Sequence, residues 1–108
     1  MQYYESFPAF IEALPALAAA AKERLKTCPG AFRLETLEGR VYETEILPDG
    51  QMVFGSLSRE PDCTVIASER DLLSVIQGSL SPARALLLRK IRVRGQITRL
   101  MALIALLN

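Results

Sequence analysis

The sequence predicts a single α+β domain over residues 1–108, built from a five-stranded, mostly antiparallel sheet with helices covering one face. The first observation is the order of its periodic segments. A helical pattern, three alternating segments and an apolar run are followed by two short helical patterns, a fourth alternating segment and a last helical pattern. The second is composition, since 50% of the residues are hydrophobic and the net charge is +1, which is typical of one packed core.

The N-terminal pattern predicts a helix that begins near Ser6 and ends before Cys28-Pro29-Gly30. Pro15 lies within this pattern and cannot donate a backbone hydrogen bond. We therefore expect Pro15 either to kink the helix or to open a second one that ends near Lys26. The apolar residues at helical spacing are Phe7, Phe10, Ile11, Leu14, Leu17, Ala18, Ala21 and Leu25.

Three strands joined as an antiparallel meander should follow. Residues 32–37, 41–47 and 51–57 alternate in polarity, and turn signals separate them at Glu38-Gly39 and Pro48-Asp49-Gly50. The charged residues that alternate with apolar ones are Arg33, Glu35, Glu43 and Glu45. One face of the sheet is therefore expected to face water.

The second half of the chain predicts a strand, two capped helices and another strand. Residues 63–67 form a nearly continuous apolar run, which is typical of a central strand. Ser68 with Asp71 resembles a capping box, and Ser81-Pro82 is typical of a helix start. Residues 90–94 alternate strictly, which predicts a fifth strand. Its inward residues are expected to be Ile91 and Val93.

The final helical pattern is more apolar than a single buried face requires. Its stripe consists of Ile97, Leu100, Met101, Ile104 and Leu107, widened by Leu103. Such a helix is buried on several sides, or it faces a ligand, a partner or lipid. Periodicity alone favours the plainest of these alternatives, an ordinary core with a dimer contact.

Composition and sequence signals exclude several classes of function. The chain has no His, which rules out imidazole-based catalytic triads and most zinc sites. Cys28 and Cys63 are far apart in sequence, so packed thiols are expected rather than a metal or redox pair. The longest apolar run, residues 100–107, is far shorter than the roughly 20 residues that cross a bilayer. Because the N-terminus also lacks a signal-peptide pattern, we expect a cytoplasmic protein.

Charge is divided unevenly along the chain. All 12 acidic residues lie at or before Asp71, and six of the 13 basic residues follow it: Arg84, Arg89, Lys90, Arg92, Arg94 and Arg99. Nucleic-acid binding is disfavoured because no aromatic residue follows Phe54. One explanation that remains is attraction to anionic lipid headgroups. The other, which we favour for most of these charges, is weak pairing of Lys90, Arg92 and Arg94 with glutamates of the wet sheet face.

Four segments, taken in order, resemble the sterol carrier protein type 2 family. Residues 62–66 are similar to its central strand, and residues 68–72 to its polar cap followed by an acidic-apolar pair. Residues 78–87 resemble its Gly-Lys-Leu-x-Pro-x-x-Ala motif followed by two large apolar residues. Residues 90–95 match its basic-apolar alternation ending in Gly, and the whole resemblance covers roughly residues 14–107.

The resemblance implies a protein that is not an enzyme, needs no cofactor, and binds or transfers a lipid in an apolar tunnel. The implied lining is Leu72, Val75, Ile76, Leu86, Leu87, Ile91, Val93, Ile97, Leu100, Met101 and Ile104. If the protein binds a lipid, the six basic residues after Asp71 would assist docking to anionic membranes or cover an acidic headgroup. The alternative is a structural or interaction module that dimerises, or docks in a lipid or quinone biosynthetic complex, through its apolar C-terminal helix.

Departures from the family pattern bear on the ligand. Arg89 stands where the family usually has Gly, and Leu86-Leu87 replaces its Phe-like pair. The basic pair Arg89-Lys90 is closer to a bacterial branch that resembles the ubiquinone-biosynthesis accessory factor. These departures favour a fatty acyl or isoprenoid/quinone ligand over a sterol.

Overall fold

The computed structural model describes residues 3–107 and has the α+β architecture that the sequence predicts. Its elements are α1 (Phe7–Ala20), α2 (Lys22–Leu25), β1 (Gly30–Thr36), β2 (Val41–Ile46), β3 (Met52–Phe54), β4 (Cys63–Ala67), α3 (Glu69–Ile76), α4 (Pro82–Leu87), β5 (Ile91–Gly95) and α5 (Ile97–Leu107). No helix within the described residues is long and apolar enough to span a bilayer.

The five strands form one sheet in the order β3-β2-β1-β4-β5. Neighbouring strands are antiparallel except β1 and β4, which run parallel with Leu34 opposite Val65. Four of the five residues of β4 are buried, as its apolar run predicts. The edges of the sheet are therefore β3 and β5, and they lie on opposite sides of it.

The three predicted serine caps are all present. The Oγ of Ser6 accepts a hydrogen bond from the N–H of Ala9 at 3.2 Å. Ser68 caps α3 through the N–H of Asp71 at 3.1 Å, and Ser81 caps α4 through the N–H of Arg84 at 3.1 Å. Each cap satisfies one N–H that has no partner within its helix.

The first helix runs through Pro15 and ends at Ala20, so the expectation that Pro15 opens a second helix is wrong. The break comes instead at Ala21, where φ is −97° and ψ is 9°. Leu14 and Ala18 are buried on either side of the proline, whereas Pro15 itself is exposed. Packing of the apolar face therefore outweighs the local cost of proline, which is about 3 kcal/mol in a helix interior.

The third strand is shorter than residues 51–57, the range that alternation predicts. Its ladder with β2 ends at Phe54, which lies opposite Thr44. Beyond it, the N–H of Gly55 donates to the carbonyl of Glu43 at 3.2 Å, and the N–H of Leu57 donates to the Oε1 of Glu43 at 3.3 Å. Glu43 therefore binds the segment after β3 through both its backbone and its side chain.

The solvent-facing side of the sheet carries several ion pairs. Only one of them is a pair expected for Lys90, Arg92 or Arg94. Arg94 lies 3.9 Å from Glu35, whereas Lys90 and Arg92 form no ion pair with the described residues. Glu43 and Glu45 instead form ion pairs with arginines that precede Asp71 in the chain. These pairs are Arg33 with Glu43 at 3.4 Å and Arg59 with Glu45 at 3.7 Å.

The last helix is rotated relative to the predicted stripe. Leu103 is buried, but Ile97 and Met101 are 38% and 36% exposed, and the side chain of Leu107 lies outside the described residues. In this orientation the guanidinium of Arg99, in the first turn of α5, donates to the carbonyl of Pro29, the residue before β1. A polar contact thus accompanies the apolar packing of the helix.

Candidate functional site

A cavity of about 610 Å³ lies between the helices and the sheet. Residues of α1, α3 and α5 line it on one side, and residues of all five strands line it on the other. Its volume is within the roughly 300–1,000 Å³ of ligand pockets. The fold therefore contains a space that could hold a small molecule.

Aromatic side chains form much of the lining. All four phenylalanines of the chain contribute to it: Phe7, Phe10, Phe32 and Phe54. The ring of Phe7 lies 5.9 Å from that of Tyr42 in an edge-on arrangement, and 5.9 Å from that of Phe10. Such contacts stabilise the helix–sheet packing beyond the area they bury. They also present apolar faces to whatever occupies the cavity.

Six of the eleven residues predicted as lining do surround this cavity. They are Leu72, Val75, Ile76, Ile91, Leu100 and Ile104. The three from α3 share one helix face because they are spaced at i, i+3 and i+4. Ile91 reaches the same space from β5 because strand alternation turns it towards the helices. Binding of a ligand by these residues stays a prediction.

The other five predicted residues lie outside the lining. Leu86 and Val93 pack against the hydrophobic core. Leu87 is 81% exposed, because it lies at the end of α4 with its side chain in solvent. Ile97 and Met101 lie on the outer face of α5.

Several residues of the first helix and of the sheet also line the cavity, although they are not among the eleven predicted lining residues. Ile11 and Leu14 do so from α1, and Leu34, Tyr42 and Met52 from the first three strands. Helical spacing and alternation had already placed them on apolar faces. What the sequence does not contain is the distance between those faces, which decides whether they touch each other or enclose a space.

Exposed residues line the cavity near the β3 edge of the sheet, and Pro15 and Val41 are exposed lining residues elsewhere. Phe54 is 45% exposed, and the next two lining residues, Gly55 and Ser56, are also exposed. Thr44 lies opposite Phe54 in the ladder, and its hydroxyl donates to the carbonyl of Val53 at 2.7 Å. This end of the cavity therefore combines an aromatic ring with hydroxyl groups, and the remaining lining is mostly apolar with Arg33 and Glu43 as its charged residues.

A second, polar cleft of about 490 Å³ lies beside α3. The hydroxyl of Ser74 donates to the carbonyl of Arg70 at 3.1 Å, and that of Ser79 donates to the carbonyl of Ser74 at 3.1 Å. Ser68 is engaged as the cap of α3. These hydroxyls therefore form hydrogen bonds with nearby backbone groups. None of the three is paired, within the described residues, with a side chain that could act as a base.

Asp62 is a structural carboxylate. It accepts hydrogen bonds from Arg59 at 3.2 Å and from the N–H of Ala31 at 2.8 Å. The hydrogen bond from Arg59, followed by that from Ala31, holds the pKa of Asp62 below its ordinary value. The group is thus ionised at neutral pH, and it ties the loop before β4 to the start of β1.

The sequence of residues 11–108 matches the family described as the SCP-2 sterol transfer family. The chain belongs to this family. The resemblance carried by the four segments between residues 62 and 95 is thereby confirmed. No curated protein sequence matches the chain.

Solved structures of SCP-2 proteins share the fold. Sterol Carrier Protein 2 from Yarrowia lipolytica, in its apo form, is similar with a TM-score of 0.64 and 19% identity, over 96% of this chain and 92% of that one. UbiJ-SCP2, a ubiquinone synthesis protein, is similar with a TM-score of 0.65 and 24% identity, over 92% and 90%. At these identities the likeness is one of fold.

The same fold occurs within a much larger enzyme. The stereoselective inverting sec-alkylsulfatase Pisa1 from Pseudomonas sp. is similar with a TM-score of 0.73 and 16% identity, over 81% of this chain. This chain spans only 14% of the length of that sulfatase. An SCP-2 fold can therefore stand alone or form a small part of an enzyme.

Proposed function

We propose that this protein binds a lipid in the cavity between its helices and its sheet, and that it does so without catalysing a reaction. The observation that carries the proposal is the 610 Å³ cavity, lined by four phenylalanines, in a member of the SCP-2 sterol transfer family. Transfer of apolar ligand surface out of water stabilises such a complex by about 25 cal/mol per Å². Part of that gain is offset by the ordering of ligand and side chains.

The ligand that fits best has a long apolar body and a small polar end. A mostly apolar lining, with the hydroxyls of Thr44 and Ser56 at its β3 edge, supports this form of ligand. Fatty acyl and isoprenoid or quinone lipids have this form, and a sterol-like lipid is the third class. The name of the similar UbiJ-SCP2 protein, a ubiquinone synthesis protein, supports the quinone class.

Two neighbouring residues of α5 provide a matched test. Leu100 lines the cavity, whereas Met101 is outside the lining and 36% exposed. An unpaired carboxylate is costly in an apolar site and tolerated in water. We expect Leu100→Asp to weaken the binding of a fluorescent long-chain fatty acid by more than about tenfold, and Met101→Asp to leave it unchanged.

A second substitution covers the case in which Leu100→Asp does not fold. Leu100→Trp keeps the position apolar and fills part of the cavity, so we expect it to retain the circular dichroism spectrum and to bind less fatty acid. Equal binding by a folded Leu100 variant and wild type would refute the cavity as the site. Organic extraction of the purified protein, followed by mass spectrometry, would identify the lipid class.

A second candidate function is supported by the outer face of α5. Ile97 and Met101 are spaced at i and i+4, are both partly exposed, and could contact a second copy or a biosynthetic complex. Native mass spectrometry separates the two functions. A monomer with a copurified lipid supports lipid binding, whereas an obligate dimer without lipid supports the interaction module.

A further inference from the structure

The fourth helix ends in a turn that an arginine occupies in place of glycine. The N–H of Arg89 donates to the carbonyl of Leu86 at 3.1 Å, and the N–H of Lys90 donates to the carbonyl of Ala85 at 2.9 Å. This pair of bonds is the Schellman pattern of a helix C-terminus. Arg89 has a φ of 59°, and among residues 3–107 it is the only non-glycine residue with a positive φ.

Glycine is the usual residue at this point of a Schellman turn, because a Cβ is strained in the left-handed region. Arg89 makes no hydrogen bond or ion pair through its side chain with the described residues. Within the described residues, no polar contact of its guanidinium offsets the strain. Strained backbone of this kind is typical of residues that serve function rather than stability.

The strained turn presents apolar and basic side chains together. Leu87 is 81% exposed and Leu88 is 51% exposed. Arg84, Arg89 and Lys90 are exposed around them and form no ion pair with the described residues. We call these five residues the α4 turn surface. Asp71 borders the polar cleft that Lys90 also lines, and no acidic residue follows Asp71 in the chain.

We propose that the α4 turn surface docks on the surface of an anionic lipid bilayer. Leu87 and Leu88 would enter the boundary between headgroups and acyl chains, as exposed apolar residues of interfacial segments do. Arg84, Arg89 and Lys90 would bind the anionic headgroups, an attraction that salt screens. A second copy of this surface is a poor occupant, because it would bring six cations together without an acid.

Docking is independent of the cavity. The α4 helix contacts β5, which is one edge of the sheet, and none of the five residues of the α4 turn surface lines the cavity. The inference does not rest on lipid binding in the cavity, and the two can fail separately.

Vesicle cosedimentation tests the proposal with the intact chain. We expect wild type to bind vesicles of phosphatidylcholine and phosphatidylglycerol at least about tenfold more tightly than vesicles of phosphatidylcholine alone, and to lose this preference in high salt. Arg89→Gly should bind the anionic vesicles more weakly while unfolding at the same or a higher temperature, because glycine relieves the turn. Opposite effects on binding and stability would distinguish a docking residue from a structural one.

Matched substitutions test whether vesicle binding depends on the α4 turn surface or on exposed apolar and basic residues in general. The double variant Leu87→Ser and Leu88→Ser should bind anionic vesicles several-fold more weakly. Leu37→Ser, at a residue 71% exposed in the turn after β1, should bind like wild type. Arg24→Gln, at an exposed arginine of α2 that forms no ion pair with residues 3–107, is the control for charge.

Three results would overturn the proposal. The first is wild-type binding by both Arg89→Gly and the double leucine variant. The second is equal binding of wild type to neutral and anionic vesicles. The third is sedimentation of wild type as a dimer that the double leucine variant does not form, which would assign the surface to a second copy. Fatty-acid titration of the same variants reports on the cavity alone, and we expect it to be unchanged.

Discussion

The carbonyl oxygen of Asp62 occupies the space that a side chain at position 95 would need. A Cβ built on Gly95 would lie 2.3 Å from that oxygen, and Gly95 has a φ of 91°. The same oxygen accepts a hydrogen bond from the N–H of Gln96 at 2.8 Å. The residue before β4 and the last residue of β5 are therefore in direct backbone contact, and this contact sets where α5 leaves the sheet.

We expect Gly95→Ala to lower the free energy of unfolding by about 3 kcal/mol or more, since it combines a left-handed φ with a backbone clash. Gly39→Ala is the matched control, because Gly39 has a φ of 96° and no atom within 4 Å of its Cβ position. It should cost only about 1–2 kcal/mol. Urea denaturation measures both values. Equal losses would contradict the close approach of Asp62.

The lowered pKa of Asp62 predicts a pH-dependent contribution to stability. A carboxyl with a lower pKa in the folded state stabilises the fold above its unfolded pKa of about 3.9, and that stabilisation is lost as pH falls through the folded pKa. Asp62→Asn should therefore be less stable than wild type at neutral pH. The difference should shrink below about pH 4 in urea titrations. A difference that persists at lower pH would assign it to packing rather than charge.

The two cysteines should be unreactive in the native protein. Burial raises the pKa of the Cys28 thiol, and burial together with the charge of Asp62 raises that of Cys63. Only the thiolate attacks thiol reagents, so a raised pKa and a buried sulfur both slow the reaction. We expect both thiols to be labelled by a disulfide reagent after unfolding in urea and neither before. Immediate labelling of one thiol in native buffer would contradict the burial.

Leu103 and Leu87 should differ in how much their side chains contribute to stability. Leu103 is 8% exposed and also lines the cavity, whereas Leu87 is 81% exposed. We expect Leu103→Ala to cost about 2–3 kcal/mol, the lower part of the range for buried leucines, because one side of Leu103 already lacks packed neighbours. Leu87→Ala should change stability by less than about 0.5 kcal/mol. Thermal denaturation followed by circular dichroism measures both.

Local patterns were sufficient to predict most elements of the fold. Ser68 and Ser81 mark helix starts because their side chains supply an acceptor that the first turn lacks. The alternation of residues 90–94 predicts which side chains of β5 face the helices, because the period of a strand is two. These properties involve neighbours within a few residues, so they can be read without tertiary structure.

The identity of the lining was predicted only in part, and the reason is geometric. Leu100 and Met101 are both apolar and adjacent, yet one lines the cavity and the other is partly exposed. The rotation of α5 decides between them, and contacts outside the helix, such as that of Arg99 with Pro29, accompany that rotation. That contact joins residues 70 positions apart, so no periodicity within the helix can indicate it.

The sequence by itself determined the class of the fold, the type of each main element, the faces of the strands and the family, because these depend on residue types and short spacings. Only the tertiary structure decided that β1 and β4 run parallel, that α1 lines the cavity, and that Leu87 and Leu88 face solvent. The physical reason is that a cavity is a property of the distance between surfaces. Two apolar faces look the same in a sequence whether they meet or stand apart.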